Sequence, residues 1–172
     1  MTLSEYREEI KRTLNTHDNT DVHMIMGMLG EAGEFIDQLK KMLFQGHKEP
    51  TFKEELGDLL WYVCNYANYL DYEITEENPT HMFIYHRETT FSEFLAMEEE
   101  ILTIAGLYNN SKLTVYPLKH VCYLLQKIYS RIVHLASQVD LDIADIREAN
   151  IAKLRLRYPN SFETERSVNR CV

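Results

Sequence analysis

Two pairs of carboxylates stand at helical spacing in the first half of the chain. Glu31 and Glu34 are three residues apart, and so are Glu55 and Asp58. Residues three apart lie on one face of a helix, with Cβ atoms about 5–6 Å apart. If both pairs face one groove, four anions converge and raise one another's pKa values, which favours a bound cation. Oxygen ligands without histidine or cysteine favour Mg²⁺ or Mn²⁺, so the spacing predicts a divalent-metal site.

Glycines cluster beside these acids, at Gly27, Gly30, Gly33 and Gly57. A glycine inside a helix costs about 1 kcal/mol relative to alanine. The cluster therefore predicts a close approach of two helices or room for a ligand. Two other interpretations remain open. The acids are ordinary exposed helix residues, or they belong to a di-iron carboxylate bundle. The second is disfavoured because no Glu in the chain has His three residues later.

The elements that must position the acids are helices. Apolar residues recur in alternating steps of three and four, which is the period of amphipathic bundle helices. A short connector, 46–50, places the two acidic helices side by side and antiparallel. We predict an all-α antiparallel helix bundle of six helices, over residues 3–15, 20–45, 51–72, 90–108, 117–139 and 142–158.

Capping signals agree with these bounds. Boxes of the form S/T-x-x-E predict helix starts at Thr2–Glu5, Thr51–Glu54 and Thr90–Glu93. Asp142 is a suitable N-cap for the last helix, and Pro159 would close it. The least helical stretch, 76–88, is predicted to be a loop or a short extended piece.

A weak internal repeat is also present. Residues 58–70 share apolar positions with 123–135, and 27–41 resemble 94–108 more faintly. We predict a degenerate repeat of the central helical pair, in which His120 and Tyr123 replace Glu55 and Asp58. The alternative is coincidence between two amphipathic helices.

Length and composition predict one soluble domain, 1–172, in which 75–140 is a helical insertion or a decayed repeat. The chain has 172 residues, of which 45% are apolar and 26% charged, enough for a real core. The net charge of −9 argues against binding to nucleic-acid polymers or anionic membranes. The charged N-terminus and the lack of a long apolar run predict a cytoplasmic protein. The three cysteines, Cys64, Cys122 and Cys171, are odd in number and lack metal-type spacing. Cys64 and Cys122 are predicted to be reduced residues in or near the core.

Two motifs together resemble one known family. "LGEAGEFIDQLKK" followed by "EELGDLLWYV" is similar to the E-x-x-E…E-x-x-D signature of the MazG-like, all-α nucleoside triphosphate pyrophosphohydrolases. "EANIAKLRLRYPNSF", 148–162, resembles the N-x-x-K-L-x-x-R-Y-P closing motif of small, often phage-encoded members. The resemblance covers about 23–66 and 146–162, whereas 75–140 matches no member. It implies hydrolysis of a (d)NTP or related nucleotide to the monophosphate and pyrophosphate.

The resemblance also implies roles for individual residues. It makes Mg²⁺, or Mn²⁺, the cofactor, with Glu31, Glu34, Glu55 and Asp58 as metal ligands. Glu54 and Glu55 are candidates to activate the attacking water, although Glu54 also has a capping role. Metal ions at such sites neutralise phosphate charge and lower the pKa of water.

Candidate substrate-binding residues lie near both motifs. Asn150, Lys153 and Arg157 fall near one helical face, and the two cations suit phosphate oxygens. The alternative for Arg157 is a solvated residue that favours the helix dipole. Asn150 stands where the apolar stripe predicts a hydrophobic residue, so it needs polar partners such as a ribose, base or phosphate.

Four further residues are weaker candidates. Lys40 and Lys41 suit phosphate but are also typical of an exposed helix face. Tyr62, one turn after Asp58, is placed to contact a base. His23 precedes Glu31 by two turns and is more often a core or groove histidine than a ligand.

Three functional hypotheses follow from the sequence. The first is an Mg²⁺-dependent pyrophosphohydrolase, expected as a homo-oligomer, typically a dimer. The second is a nucleotide-binding regulatory or interaction module of the same fold without turnover. The third is a structural helical adaptor, for which added Mg²⁺ would not raise the melting temperature. If the second helical pair is a decayed copy, it would occupy the place that a partner subunit takes in related dimers.

Overall fold

The computed structural model describes residues 1–48, 50–76, 87–111, 117–163 and 165. Within these residues the chain forms six helices and no strand, which confirms the all-α prediction. The helices are α1 (Leu3–Lys11), α2 (Thr20–Gln45), α3 (Phe52–Tyr69), α4 (Arg87–Ser111), α5 (Leu118–Gln138) and α6 (Ile143–Arg157). Among them, no helix combines the length and the apolarity that a membrane crossing requires. Most of the predicted loop at 76–88, and also Cys171, lie outside the described residues.

The helices pack as two pairs and a flanking layer. α2 packs along α3, and α4 packs along α5; the pairs then meet through α2 with α4 and α3 with α5. α1 and α6 pack on each other and on α3. This last contact carries the site, because it places the closing motif of α6 beside the acidic helices.

The structure matches the predicted bounds of α2. The helix ends at Gly46, whose φ of 69° is left-handed and whose backbone N–H bonds to the carbonyl of Lys41. Glycine takes this conformation without steric cost, which makes it the usual residue just past a helix. The stop after Gln45 leaves a short connection to α3, so Glu31 and Glu34 come to lie beside Glu55.

The predicted capping boxes have mixed outcomes. The box at α1 is confirmed, because Thr2 and Glu5 each accept a hydrogen bond from the other's backbone N–H. The box at Thr51 is wrong: the Thr51 hydroxyl donates to the carboxylate of Glu55 instead of capping the helix. A bond to an ionised acceptor is stronger than one to a neutral group, which favours this choice. The predicted start at Thr90 is also wrong, since α4 begins at Arg87 and Thr90 is buried within it.

At the other end of the chain, Asp142 caps α6 as predicted and accepts a hydrogen bond of 2.7 Å from the backbone of Ala144. Two helices also end on the same kind of turn. Asp71 after α3 and Asp140 after α5 have φ values of 52° and 59°. In both turns the next residue's N–H bonds over 2.9 Å to an alanine carbonyl five residues earlier. The likeness accords with a repeat of the helical pair, which stays a prediction.

Candidate active site

Three of the four predicted metal ligands converge. α2 presents Glu31 and Glu34, and α3 presents Glu55; one carboxylate oxygen from each lies within 4.8 Å of the other two. Glu55 is only 8% exposed, whereas Glu34 is open to solvent. Such a set of hard oxygen donors, partly buried and partly open, fits one divalent cation with space left for a substrate oxygen or water.

Burial and neighbouring acids raise the pKa values of Glu31 and Glu55. Burial raises the pKa of Glu31 to about 7, and the nearby charges of Asp58 and Glu34 contribute to the rise. Burial also raises the pKa of Glu55, an effect that the hydrogen bond from Thr51 partly opposes. Crowded carboxylates with raised pKa values are the electrostatic signature of a site that favours a cation.

Asp58 lies outside this group of three. Its Oδ1 accepts a 2.9 Å hydrogen bond from the side-chain amide of Asn150, and Lys153 forms an ion pair with both of its oxygens. α6 packs on α3, so the ammonium reaches Asp58 and supplies the positive charge there. Two residues predicted to bind substrate, Asn150 and Lys153, therefore contact the fourth acid.

Asn150 has polar partners on both ends of its amide. Its Nδ2 donates to Asp58, and its Oδ1 accepts a 2.9 Å hydrogen bond from the hydroxyl of Tyr6. The side chain is 3% exposed. It packs on Gly57, where an added Cβ would lie 3.2 Å from the Cβ of Asn150. Asn150, which occupies a position where the apolar stripe predicts a hydrophobic residue, thus finds its hydrogen-bond partners within the protein.

A cleft beside the acids gathers three more of the predicted residues. Its volume is ≈ 180 Å³, and its lining includes Glu31, Glu34, Asp58, His23, Tyr62 and Arg157. Within the part of the chain that the structure describes, the guanidinium of Arg157 forms no ion pair or hydrogen bond. A half-exposed guanidinium without a partner is available to an anion such as phosphate.

Aromatic rings form one wall of this cleft. The rings of His23 and Tyr62 meet edge to face at 5.8 Å, and those of Trp61 and Tyr62 do so at 4.9 Å. Trp61 is anchored by a 2.9 Å hydrogen bond from its Nε1 to the hydroxyl of Thr13. Burial lowers the pKa of His23, so its ring is favoured in the neutral form. Neutral flat rings suit contact with a nucleobase.

The remaining predicted residues lie elsewhere. Lys40 is exposed and Lys41 partly so, and both pair with Asp37, three and four residues earlier on α2. They line cavities other than the acidic cleft. Helical spacing gives each lysine a carboxylate partner on its own helix. Glu54 is exposed on α3 and is not among the converging acids.

Sequence reasoning missed several residues of the site. Tyr6 reaches it through Asn150, and Thr13 and Phe162 line the cleft. Tyr158 also lines it and carried a signal, since it belongs to the R-Y-P part of the closing motif. Phe162 is the last residue of the same quoted motif, whereas Tyr6 and Thr13 lie outside both motifs and carried no signal.

Two of the four clustered glycines mark close approaches. An added Cβ at Gly27 would lie 2.1 Å from the ring of Tyr62, and one at Gly57 would crowd Asn150. Gly30 and Gly33 face open space, with no atom within 4 Å of an added Cβ. The glycines therefore serve both predicted purposes, contact at Gly27 and Gly57 and space at Gly30 and Gly33.

Gly27→Ala is expected to destabilise the protein, whereas Gly30→Ala is expected to stabilise it by up to about 1 kcal/mol. Alanine is the better helix former at both positions, but only at Gly27 must an aromatic ring move. Urea unfolding of the two variants measures the difference. The double variant Gly27→Ala with Tyr62→Ala should cost less than the sum of the single changes. Equal stability of the two alanine variants would contradict the clash.

Part of the chain is similar to known proteins. The chain is 38% identical over 55 residues to the Gene 37 protein of Mycobacterium phage L5, a match that covers 28% of this chain and 48% of that protein. The chain thus spans about half the length of this relative. No solved structure matches the chain. Residues 19–78 match the family model of the MazG nucleotide pyrophosphohydrolase domain. The matched stretch, which includes all four acids, relates this chain to the MazG nucleotide pyrophosphohydrolase family.

Proposed function

We propose that the protein hydrolyses a nucleoside or deoxynucleoside triphosphate, or a related nucleotide, to the monophosphate and pyrophosphate, with Mg²⁺ or Mn²⁺ as cofactor. The observation that carries this proposal is the convergence of Glu31, Glu34 and Glu55 within 4.8 Å, beside a cleft that Arg157 lines. Three crowded acids fit a divalent cation, and a nearby cation on the protein fits the phosphate that such a metal would bind.

Glu31, Glu34 and Glu55 would hold the metal, and Asp58 would become a ligand once Lys153 releases it. A bound divalent ion supplies Lewis-acid polarisation of phosphate oxygens and a lowered pKa of water. Asp58 and Lys153 neutralise each other in the metal-free protein. Once Asp58 has another cation beside it, the ammonium of Lys153 is available for phosphate oxygens next to Arg157.

Different residues of the cleft bind different parts of the substrate. Lys153 and Arg157 bind the phosphates, while the rings of Tyr62 and His23 contact the base. The water oxygen attacks the α-phosphorus, and the bond from that phosphorus to the bridging oxygen breaks, so that its electron pair leaves with pyrophosphate. We assign the proton of the water to the carboxylate of Glu55, because Glu55 is the least exposed of the three acids and lies beside the other two. Glu54 is exposed and stays a weaker candidate for this role.

A nucleotide panel tests the proposal. Ribo- and deoxyribonucleoside triphosphates are incubated with the protein and Mg²⁺ or Mn²⁺, and pyrophosphate release is measured against an EDTA control. We expect metal-dependent release from at least one nucleotide. Calorimetry on the same panel separates the alternatives: binding without turnover would indicate the regulatory module. Inactivity with both metals, together with no binding and no metal effect on Tm, would indicate the structural adaptor.

The Mg²⁺-induced rise in Tm is expected to be larger at pH about 8 than at pH about 6. In the metal-free fold Glu31 titrates near 7 instead of its usual 4.5. Because folding disfavours the charged form of Glu31, the free energy of unfolding without metal falls as the pH rises from 4.5 to about 7. Mg²⁺ binds the charged form and offsets this loss, whereas protons compete with it at lower pH. Thermal scans with EDTA or Mg²⁺ at both pH values measure the effect, and Glu31→Gln should flatten it.

We further propose that residues 1–172 form one domain and that the protein is a homo-oligomer, with a dimer expected. The packing of α4 and α5 on α2 and α3 within one chain supports a single domain. The same packing suggests an alternative to a dimer. The pair α4 and α5 covers the pair α2 and α3 within one chain, so no second subunit is needed there. Sedimentation velocity distinguishes the two: a monomer at catalytic concentrations would favour the internal pair as the substitute for a partner.

A further inference from the structure

We propose that Tyr6 of α1 is a positioning residue of the acidic site, which acts through Asn150 to hold the carboxylate of Asp58. The inference rests on the proposed function, because it assigns Tyr6 a role in the metal site. It is carried by a continuous chain of two hydrogen bonds, each 2.9 Å long, from Tyr6 to Asn150 and from Asn150 to Asp58.

The first link is fully enclosed. Tyr6 is 0% exposed and Asn150 is 3% exposed, so neither can exchange its partner for water. Burial raises the pKa of the Tyr6 phenol well above its usual range, which keeps its proton on the oxygen. The hydroxyl therefore donates, and the atom it needs is the amide oxygen of Asn150 rather than the amide nitrogen.

The orientation of the amide decides what Asp58 meets. With its oxygen bound to Tyr6, Asn150 presents two N–H donors toward Asp58. Rotated by half a turn, the same amide would place an acceptor against the carboxylate. Asn150 also packs directly on Gly57, the residue before Asp58. Tyr6 thus selects the orientation in which Asn150 supports the acid.

Asp58 needs this support because it stands at the edge of the cation site. It lines the same cleft as Glu31 and Glu34, and on α3 it follows Glu55 by three residues, which places both on one helix face. Lys153 contacts the same carboxylate but from a flexible side chain, and in the proposed mechanism it leaves. The amide of Asn150 then becomes the contact that keeps Asp58 directed toward the three acids.

A simple core role is the competing explanation for Tyr6, and the chain offers a matched control. Tyr66 is also 0% exposed, and its hydroxyl donates over 2.8 Å to Asp21 at the start of α2, away from the acids. Tyr66→Phe and Tyr6→Phe each remove one buried phenolic hydroxyl without changing the ring. Only the second change breaks a chain of hydrogen bonds that ends on the acidic site.

The experiment compares full-length wild type, Tyr6→Phe and Tyr66→Phe by Tm during Mg²⁺ titration and by pyrophosphate release. Both variants should show lower Tm in EDTA. We expect Tyr6→Phe alone to raise the Mg²⁺ concentration at half-maximal Tm shift, by about 10-fold, the lower end for groups that orient metal ligands. It should also lower kcat more than it raises KM. The double variant Tyr6→Phe with Asn150→Ala should bind Mg²⁺ no worse than Asn150→Ala, because Tyr6 acts through Asn150.

The outcomes separate this inference from the proposed function. A Mg²⁺ midpoint for Tyr6→Phe equal to that of wild type overturns the positioning role, as does a Tyr6→Phe chain that fails to fold while Tyr66→Phe folds. A shifted midpoint in a protein that binds Mg²⁺ but hydrolyses no nucleotide keeps the positioning role and overturns the enzymatic one. A wild-type protein whose Tm does not respond to Mg²⁺ overturns both.

Discussion

Glu55→Gln is expected to lower pyrophosphate release by about 10³-fold, the scale seen when one key electrostatic contact is removed from a catalytic site. The same change should abolish the Mg²⁺-induced rise in Tm. Glu55 is the most buried of the three converging acids and is also the assigned proton acceptor, so no neighbour can replace it. The fold should survive, because an amide oxygen still accepts the hydrogen bond from Thr51. Steady-state release assays, circular dichroism and thermal scans measure the three quantities.

Two further variants make this result specific. Asp37→Asn removes a carboxylate from α2 one turn beyond Glu34, where Asp37 pairs with two lysines outside the cleft. It should leave pyrophosphate release near the wild-type rate. Glu54→Gln separates the two candidates for water activation: a loss there as large as that of Glu55→Gln would contradict the assignment to Glu55.

Arg147→Ala is expected to destabilise the protein by about 1.5–3 kcal/mol or more, because hydrogen bonds to a charged group contribute about that much and the buried guanidinium makes several of them. Arg147 is 1% exposed and pairs with Glu76 at 2.6 Å. Its guanidinium also donates to the hydroxyl of Tyr129 at 2.6 Å and to the carbonyl of Met1 at 3.2 Å. Since domains are typically stable by about 5–15 kcal/mol, the change would remove a large part of the total. Urea unfolding at equilibrium measures it.

Arg155→Ala is the control for that prediction. Arg155 lies on the same helix and pairs with Glu9, but its side chain is 59% exposed. Exposed pairs contribute about 0–1 kcal/mol, so the variant should unfold near the wild-type urea midpoint. Arg147→Met, which restores apolar volume, should recover part of the loss. If Arg147→Ala and Arg155→Ala had equal midpoints, the buried network would not be a major source of stability.

The helices and the three converging acids were predictable because their signals are local. The apolar period of α2 and the short connector at 46–50 predicted the bounds of that helix, and the spacing of Glu31 and Glu34 placed them on one face. The same local reasoning failed at Thr90, where a capping pattern occurs inside a helix. A short polar motif cannot distinguish a helix start from a buried threonine, because burial depends on how α4 packs.

The setting of Asp58 was not predictable for a related reason. Its spacing from Glu55 predicts a shared face, but Lys153 and Asn150 approach it from α6, 95 and 92 residues later. Tyr6 gave no sequence signal, because its partner is 144 residues away. Contacts of this kind depend on the packing of α1 and α6 on α3, which no periodicity encodes.

The long sequence separation between Tyr6 and Asn150 has a consequence for folding. The pairs α2–α3 and α4–α5 are close in sequence, so loop closure favours their early formation. During synthesis Glu31, Glu34 and Glu55 can therefore meet before α6 has been made. At that stage no Lys153 is present to balance Asp58, and the nascent acids repel one another without compensation. The arrival of α6 is thus the step that both closes the bundle and pairs Asp58 with Lys153.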